Sequence, residues 1–171
     1  MNDIEVLILN GSPGSGKSTL ASAISDMLRK QGASHAVVDL DELARVYPES
    51  TTRNLKWQNL AAVWPNYQNA NVQRVIIPVL IDTADDLQTI KAATPSKSFT
   101  ICELTAATST LKNRVIEREP NKYWQDKISG LVDNYEQRDK SSKFADLRVS
   151  TDDKTIDEAA KEIINKLGWA S

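Results

Sequence analysis

Residues Gly11, Ser12, Pro13, Gly14, Ser15, Gly16, Lys17 and Ser18 follow one another in the pattern G-x-x-x-x-G-K-[ST]. An apolar run, Ile4 to Leu9, leads into them. A stretch of helical periodicity from about Lys17 to Arg29 leads away, with Leu20, Ile24, Met27 and Leu28 on one stripe and Gly32 as the stop. No other feature restricts the fold as much, because the pattern is meaningful only between a strand and a helix. By average residue usage, four fixed positions would coincide in roughly one chain of this length in a few hundred. An ordinary glycine-rich turn with a surface lysine therefore explains less than a phosphate-binding loop does. Three of the six glycines fall in it, and without Cβ atoms the backbone can aim successive N–H groups at an anion and approach it closely. The helix start adds unpaired N–H groups and the positive end of its dipole. Lys17 then reaches the β- and γ-phosphates of a nucleotide as a point charge, and the Ser18 hydroxyl coordinates magnesium, with Thr19 a second candidate.

Apolar runs rich in Ile and Val recur at His35 to Leu40, Arg74 to Ile81, Phe99 to Leu104 and Leu147 to Thr151, making five expected strands in all. Near-continuous apolar strands suit a parallel sheet covered on both faces. A helix is expected near Arg53 to Asn69, where Trp57, Leu60, Ala61 and Trp64 share a stripe and Pro65 argues for a kink or break. Thr83 with Asp86, and Thr155 with Glu158, read as capping pairs that open two more. The second of these places Ile156, Ala160, Ile163, Ile164 and Leu167 on one face. A helix from about Ser109 to Glu117 is ended by Pro120, and a further one carries Trp124, Ile128, Leu131, Val132 and Tyr135. Parallel neighbours need right-handed crossovers, so the expected architecture is α/β, an open three-layer α/β/α sheet.

The chain has 171 residues, against a prior of roughly 150 per domain, which predicts one domain over 1–171. With 40% hydrophobic and 26% charged residues it fits neither a disordered chain nor a membrane protein. A formal charge of -2 supplies no footprint for nucleic acid or an anionic membrane. A small molecule is the partner expected, and a monomer or a homodimer is compatible with the sequence. The one cysteine, Cys102, lies in the apolar run SFTICELTA and reads as a small core residue in a reducing compartment. The start carries an apolar run of at most six residues and no export signal, so a cytoplasmic location is expected. The only histidine, His35, opens a strand and is given no catalytic role, and no Cys, His and Asp cluster suits zinc.

Several nucleotide-binding classes fall by absence. A GTPase should carry D-x-x-G and N-K-x-D, and a transport ATPase LSGGQ, and none of these strings occurs. A hexameric motor ATPase needs a second helical domain for which the chain leaves no room. The chain resembles the P-loop small-molecule and nucleoside-monophosphate kinase group, which includes shikimate kinase, gluconate kinase, adenylylsulfate kinase and chloramphenicol phosphotransferase. The resemblance rests on the loop, on Asp39-Leu40-Asp41, on Leu104-Thr105-Ala106 followed by Leu111-x-x-Arg114-x-x-x-Arg118, and on Thr151-Asp152 at the end of the last strand. It implies the P-loop NTPase fold with strand order 2-3-1-4-5, and an ATP-dependent, Mg²⁺-dependent kinase that phosphorylates a hydroxyl. It also implies that Asp39 stands near the metal and Asp41 meets the acceptor hydroxyl.

The residues support the same roles. Ligands of open α/β sheets lie beyond the carboxyl ends of the strands, where Asp39 and Asp41 fall, two residues apart. Phosphoryl transfer to an alcohol needs a carboxylate to orient the hydroxyl and take its proton. The competing reading has Asp41 cap a helix starting at Glu42 and Asp39 solvated at the strand end. Asp82 is a third candidate for supporting the metal. Arg114 and Arg118 share a helical face. By the resemblance they stand in or beside a lid over about 114–127 that closes on ATP and stabilises charge on the transferred group, the alternative being a solvated helix face beside Glu117 and Glu119. The acceptor segment is expected over about 42–72, with Arg45, Arg53 and Trp57 as substrate candidates. Arginine there suits a carboxylate or phosphate, while Trp57 at helical spacing is equally what core packing gives. Two alternatives stay open: a nucleotide kinase drawing on Arg45, Arg53 and Arg74, and a P-loop protein that binds ATP without turning it over.

Overall fold

A computed structural model describes residues 3–48, 54–96, 98–137 and 144–170. Strand β1 (Glu5–Gly11) runs into helix α1 (Lys17–Lys30), then β2 (His35–Val37), α2 (Leu40–Leu43), α3 (Leu55–Asn69), β3 (Arg74–Pro78) and α4 (Ala84–Ala93). Next come β4 (Ser98–Thr105), α5 (Thr108–Arg118), α6 (Lys122–Glu136), β5 (Leu147–Ser150) and α7 (Ile156–Lys166). All strands pair in parallel in the order β2-β3-β1-β4-β5. This is the expected three-layer sheet and the expected order.

Alternation along the central strand divides the core in two. Val6 and Ile8 of β1 face one side and pack with Trp57, Leu60 and Trp64 of α3 and Ile90 of α4. Leu7 and Leu9 face the other and pack with Leu20 and Ile24 of α1 and Ala160 and Ile163 of α7. Period-two alternation sends successive side chains to opposite layers, so a strand apolar at every position must be covered twice. Cys102 belongs to the second layer, fully buried, and burial pushes its thiol up to about 12. It is the core residue anticipated. Helices α5 and α6 form a hairpin with a small core of their own, Leu111, Val115 and Val132.

Both capping pairs form as reciprocal boxes: Thr83 with Asp86 opens α4, and Thr155 with Glu158 opens α7. Two expectations are corrected. Of the kink or break expected at Pro65, the break does not occur, since α3 continues through it. The proline removes the N–H that would meet the Ala61 carbonyl, and Ala61 is exposed, so water can take its place. Strand β2 stops at Val37 rather than Leu40, because Asp39 caps a short helix that begins at Leu40. The α6 stripe is only half covered: Val132 and Tyr135 are buried, while Trp124 and Leu131 are exposed.

Candidate active site

The loop between β1 and α1 is shaped by its glycines. At Gly14, with φ 81°, a Cβ would stand 2.6 Å from the carbonyl oxygen of Leu111, so α5 presses directly on the loop backbone. Gly16, at φ 92°, precedes α1 with no side-chain cap, which leaves the helix's first N–H groups to a ligand. The hydroxyls of Ser12 and Ser15 are buried with no protein partner. Buried donors without partners are costly, and an anion held by the loop would satisfy them. The residues present therefore fit a phosphate group.

Lys17 bridges the mouth of the loop, its ammonium donating to the carbonyls of Gly11 at 2.8 Å and Ser12 at 3.0 Å. Burial lowers its pKa to about 8; Arg118 pushes the same way, while the carboxylates of Asp41 and Asp39 oppose it. Two carboxylates and a guanidinium thus act electrostatically on this ammonium.

Asp39 is engaged through both oxygens. Its Oδ2 accepts from the Ser18 hydroxyl at 3.0 Å and its Oδ1 from the Asp41 N–H at 3.0 Å, the latter capping α2. The competing reading, in which Asp41 caps the helix, is thereby set aside: the cap is Asp39. Asp41, the first residue after the start of α2, is exposed and keeps its carboxylate close enough to Lys17 to raise the lysine's pKa. Asp82 is exposed in the loop after β3, where its N–H donates to Asp86 at 3.2 Å. The hydroxyl of Ser18 therefore pairs with Asp39, in the arrangement that would hold a divalent cation against the phosphates. The same loop is tied to the phosphate loop through buried Asn10, whose Oδ1 accepts from the Ile81 N–H at 3.0 Å. Asn10 was overlooked in the sequence, since only its position one residue ahead of Gly11 marks it.

A cavity of about 400 Å³ opens beside the loop, lined among others by Thr19, Arg114, Glu117, Arg118, Thr151 and Ile156. Pro13 lies in the loop between the two buried serines and is partly exposed. The guanidinium of Arg114 donates to the Thr151 carbonyl at 2.9 Å, the Thr151 hydroxyl at 3.0 Å and the Gly14 carbonyl at 3.3 Å. Arg118 pairs with Glu119 at 2.8 Å. Ile156 was expected on the buried stripe of the last helix but is 40% exposed, a wall of this cavity.

The acceptor-side candidates are not gathered in the same way. Arg45 is exposed and pairs with Glu42. Arg53 lies outside the described residues. Trp57 is 4% exposed in the core against α4, with Lys56 over its ring. Arg74 stands at the amino end of β3, beside Glu5 and Trp169, at the opposite end of the strands from the phosphate loop. His35 bonds the Ala33 carbonyl and the Ser25 hydroxyl, each at 2.8 Å, and so holds its own turn.

The architecture is the three-layer fold seen in P-loop small-molecule kinases. APS kinase CysC from Mycobacterium tuberculosis, solved with AMPPNP and APS, is similar at TM-score 0.68 and 21% identity over 98% of this chain and 99% of that one. A gluconokinase from Sinorhizobium meliloti 1021 follows at 0.66 and 17% over 99% and 94%. Shikimate kinase from Acinetobacter baumannii, in complex with shikimate, follows at 0.61 and 15% over 97% and 94%. A family model described as Nephrocystin 3, N-terminal matches residues 1–115, and the chain belongs to that family. No curated protein matches the chain in sequence.

Proposed function

We propose that this chain is an ATP- and Mg²⁺-dependent kinase that transfers the γ-phosphoryl group to a hydroxyl of a small-molecule acceptor. The observation that carries the reading is the Ser18–Asp39 hydrogen bond at the mouth of a loop whose Lys17 also feels Asp41. Those groups are what the reaction needs, gathered within one turn of two helices. Ser18, backed by Asp39, would hold Mg²⁺, which when bound neutralises charge on the β- and γ-phosphates. Lys17 would leave its two carbonyls and meet the phosphates with its ammonium. The loop amides and the Ser12 and Ser15 hydroxyls would bind the polyphosphate tail. Asp41 would orient the acceptor hydroxyl and take its proton as the phosphoryl group moves.

Arg118, paired with Glu119, would add charge near the transferred group, and the 114–127 segment would act as the lid that excludes water. The acceptor would be met by the 42–72 segment, with Arg45 and Arg53 as its cations. ATP as co-substrate suits a cytoplasmic enzyme. No helix among the described residues is long and apolar enough to cross a membrane.

ADP-release assays across sugar acids, nucleosides, nucleotides and hydroxylated antibiotics test this reading. ATP-dependent turnover with a hydroxylated acceptor supports it. Micromolar ATP binding with no turnover on any of them would instead establish a binding protein.

A further inference from the structure

Helix α5 carries Arg114, Glu117 and Arg118 to the nucleotide cavity, yet it begins at Ala107 with no side-chain cap of its own. Its cap comes from the far end of the chain. Asp152, just past β5, accepts from the Ala107 N–H at 2.6 Å through Oδ2. Two turns further along the helix, the adjacent Thr151 takes both arms of the Arg114 guanidinium, one on its carbonyl and one on its hydroxyl. Thr151 is itself fixed, 5% exposed, with its N–H on the Thr105 carbonyl at 2.8 Å and its hydroxyl on the same oxygen at 3.3 Å. The remaining reach of Arg114 is to Gly14 in the phosphate loop, against which Leu111 of α5 already presses. One dipeptide thus meets both the start of α5 and the guanidinium of Arg114.

We propose that Thr151 and Asp152 are positioning residues of the nucleotide site, holding α5 and the Arg114 guanidinium in place before nucleotide arrives. The inference rests on the nucleotide-binding part of the reading above and not on kinase turnover. A guanidinium held in a fixed plane by two acceptors presents its face and its remaining N–H groups to the cavity at little ordering cost, which raises affinity by preorganisation. Removal of the Thr151 hydroxyl frees one arm of the guanidinium. Loss of the Asp152 carboxylate uncaps the helix that carries it.

Equilibrium binding of AMPPNP by titration calorimetry, on the full chain, tests this without any acceptor. Thr151→Val weakens binding about tenfold, the loss expected of one hydrogen bond to a charged group, and Thr151→Ser recovers it. In an Arg114→Ala background the same Thr151→Val change has no further effect, because the threonine acts through the arginine. Asp152→Ala weakens binding about threefold to tenfold, by the size of a lost cap, and Asp152→Asn, which keeps an acceptor oxygen, recovers it. Asp152 is partly exposed and gives an independent reading should Thr151→Val not fold. Wild-type affinity in both Thr151→Val and Asp152→Ala overturns the inference, as does an equal loss for Thr151→Val with and without Arg114. Failure of the wild-type chain to bind AMPPNP at all overturns the nucleotide-site reading instead.

Discussion

The two sides of the site are built differently. On the nucleotide side Lys17 is held on two carbonyls, Ser18 on Asp39, and Arg114 on Thr151 and Gly14, while the buried Ser12 and Ser15 hydroxyls are left for a ligand. On the proposed acceptor side Asp41 is exposed, Arg45 is exposed and pairs with Glu42, and Tyr47 is 95% exposed. Groups preset for one ligand cost no reorganisation when that ligand binds. A polyphosphate tail is the same in every reaction of this kind, so its half can be prebuilt. The half proposed to read the acceptor is left open, and fold likeness does not choose among acceptors.

The sharpest way to break this contrast is at Lys17. Lys17→Ala should lower turnover by about 10²- to 10³-fold, the scale for losing one preorganised electrostatic group, with no loss of thermal stability at neutral pH, because the buried ammonium it removes is held below its ordinary pKa. Turnover within twofold of wild type removes Lys17 from the mechanism. Asp41→Asn should lower kcat by about 10²-fold or more, as loss of a positioned base does, and leave AMPPNP affinity unaltered. An equal loss of both would move Asp41 to the nucleotide side and erase the division.

A pH titration sharpens the same contrast. Burial holds Lys17 at about 8 in the free protein, and bound phosphate favours its charged form. Nucleotide binding therefore takes up a proton above that pH, and affinity falls as pH rises, by up to about tenfold per unit. The free fold moves the other way. Between about 8 and the ordinary lysine value of 10.5 the unfolded chain keeps a proton the native state has lost, so this group makes the protein more stable as pH climbs. Lys17→Met should show neither slope in calorimetry or denaturant unfolding. The smallest effect is expected away from both sides: Thr83→Ala, which breaks the α4 capping box, should cost about 1 kcal/mol in urea unfolding and leave AMPPNP affinity alone.

Much of the nucleotide half was legible because it is local. Gly11 to Ser18 are contiguous, and backbone geometry over eight residues is dictated by those residues themselves. Capping pairs three residues apart were readable for the same reason at Thr83 and Thr155. Arg114 was visible as a helical position, but its partners are not: Thr151 lies 37 residues away and Gly14 100 residues away. Which carboxylate caps α2 and meets Ser18 is not legible in Asp39-Leu40-Asp41, because both ends of that tripeptide carry the same side chain. Only the approach of Ser18, 21 residues earlier, selects Asp39. Trp57 could have lined a cleft or filled a core by its spacing alone, and the arrival of α4 against α3 settled it as core.

Sequence alone determined the alternation of strands and helices, the covering of the sheet on both faces, and the position of the phosphate loop between the first strand and helix. These follow from periodicity and from glycine at fixed places, properties that neighbours in the chain carry with them. Tertiary structure alone decided which carboxylate backs Ser18, what holds the guanidinium of Arg114, and that Ile156 lines a cavity instead of filling the core. Hydrogen bonds between distant segments depend on which strand lies beside which. That adjacency exists only once β5 has closed against β4 and brought Thr151 and Asp152 up to the start of α5.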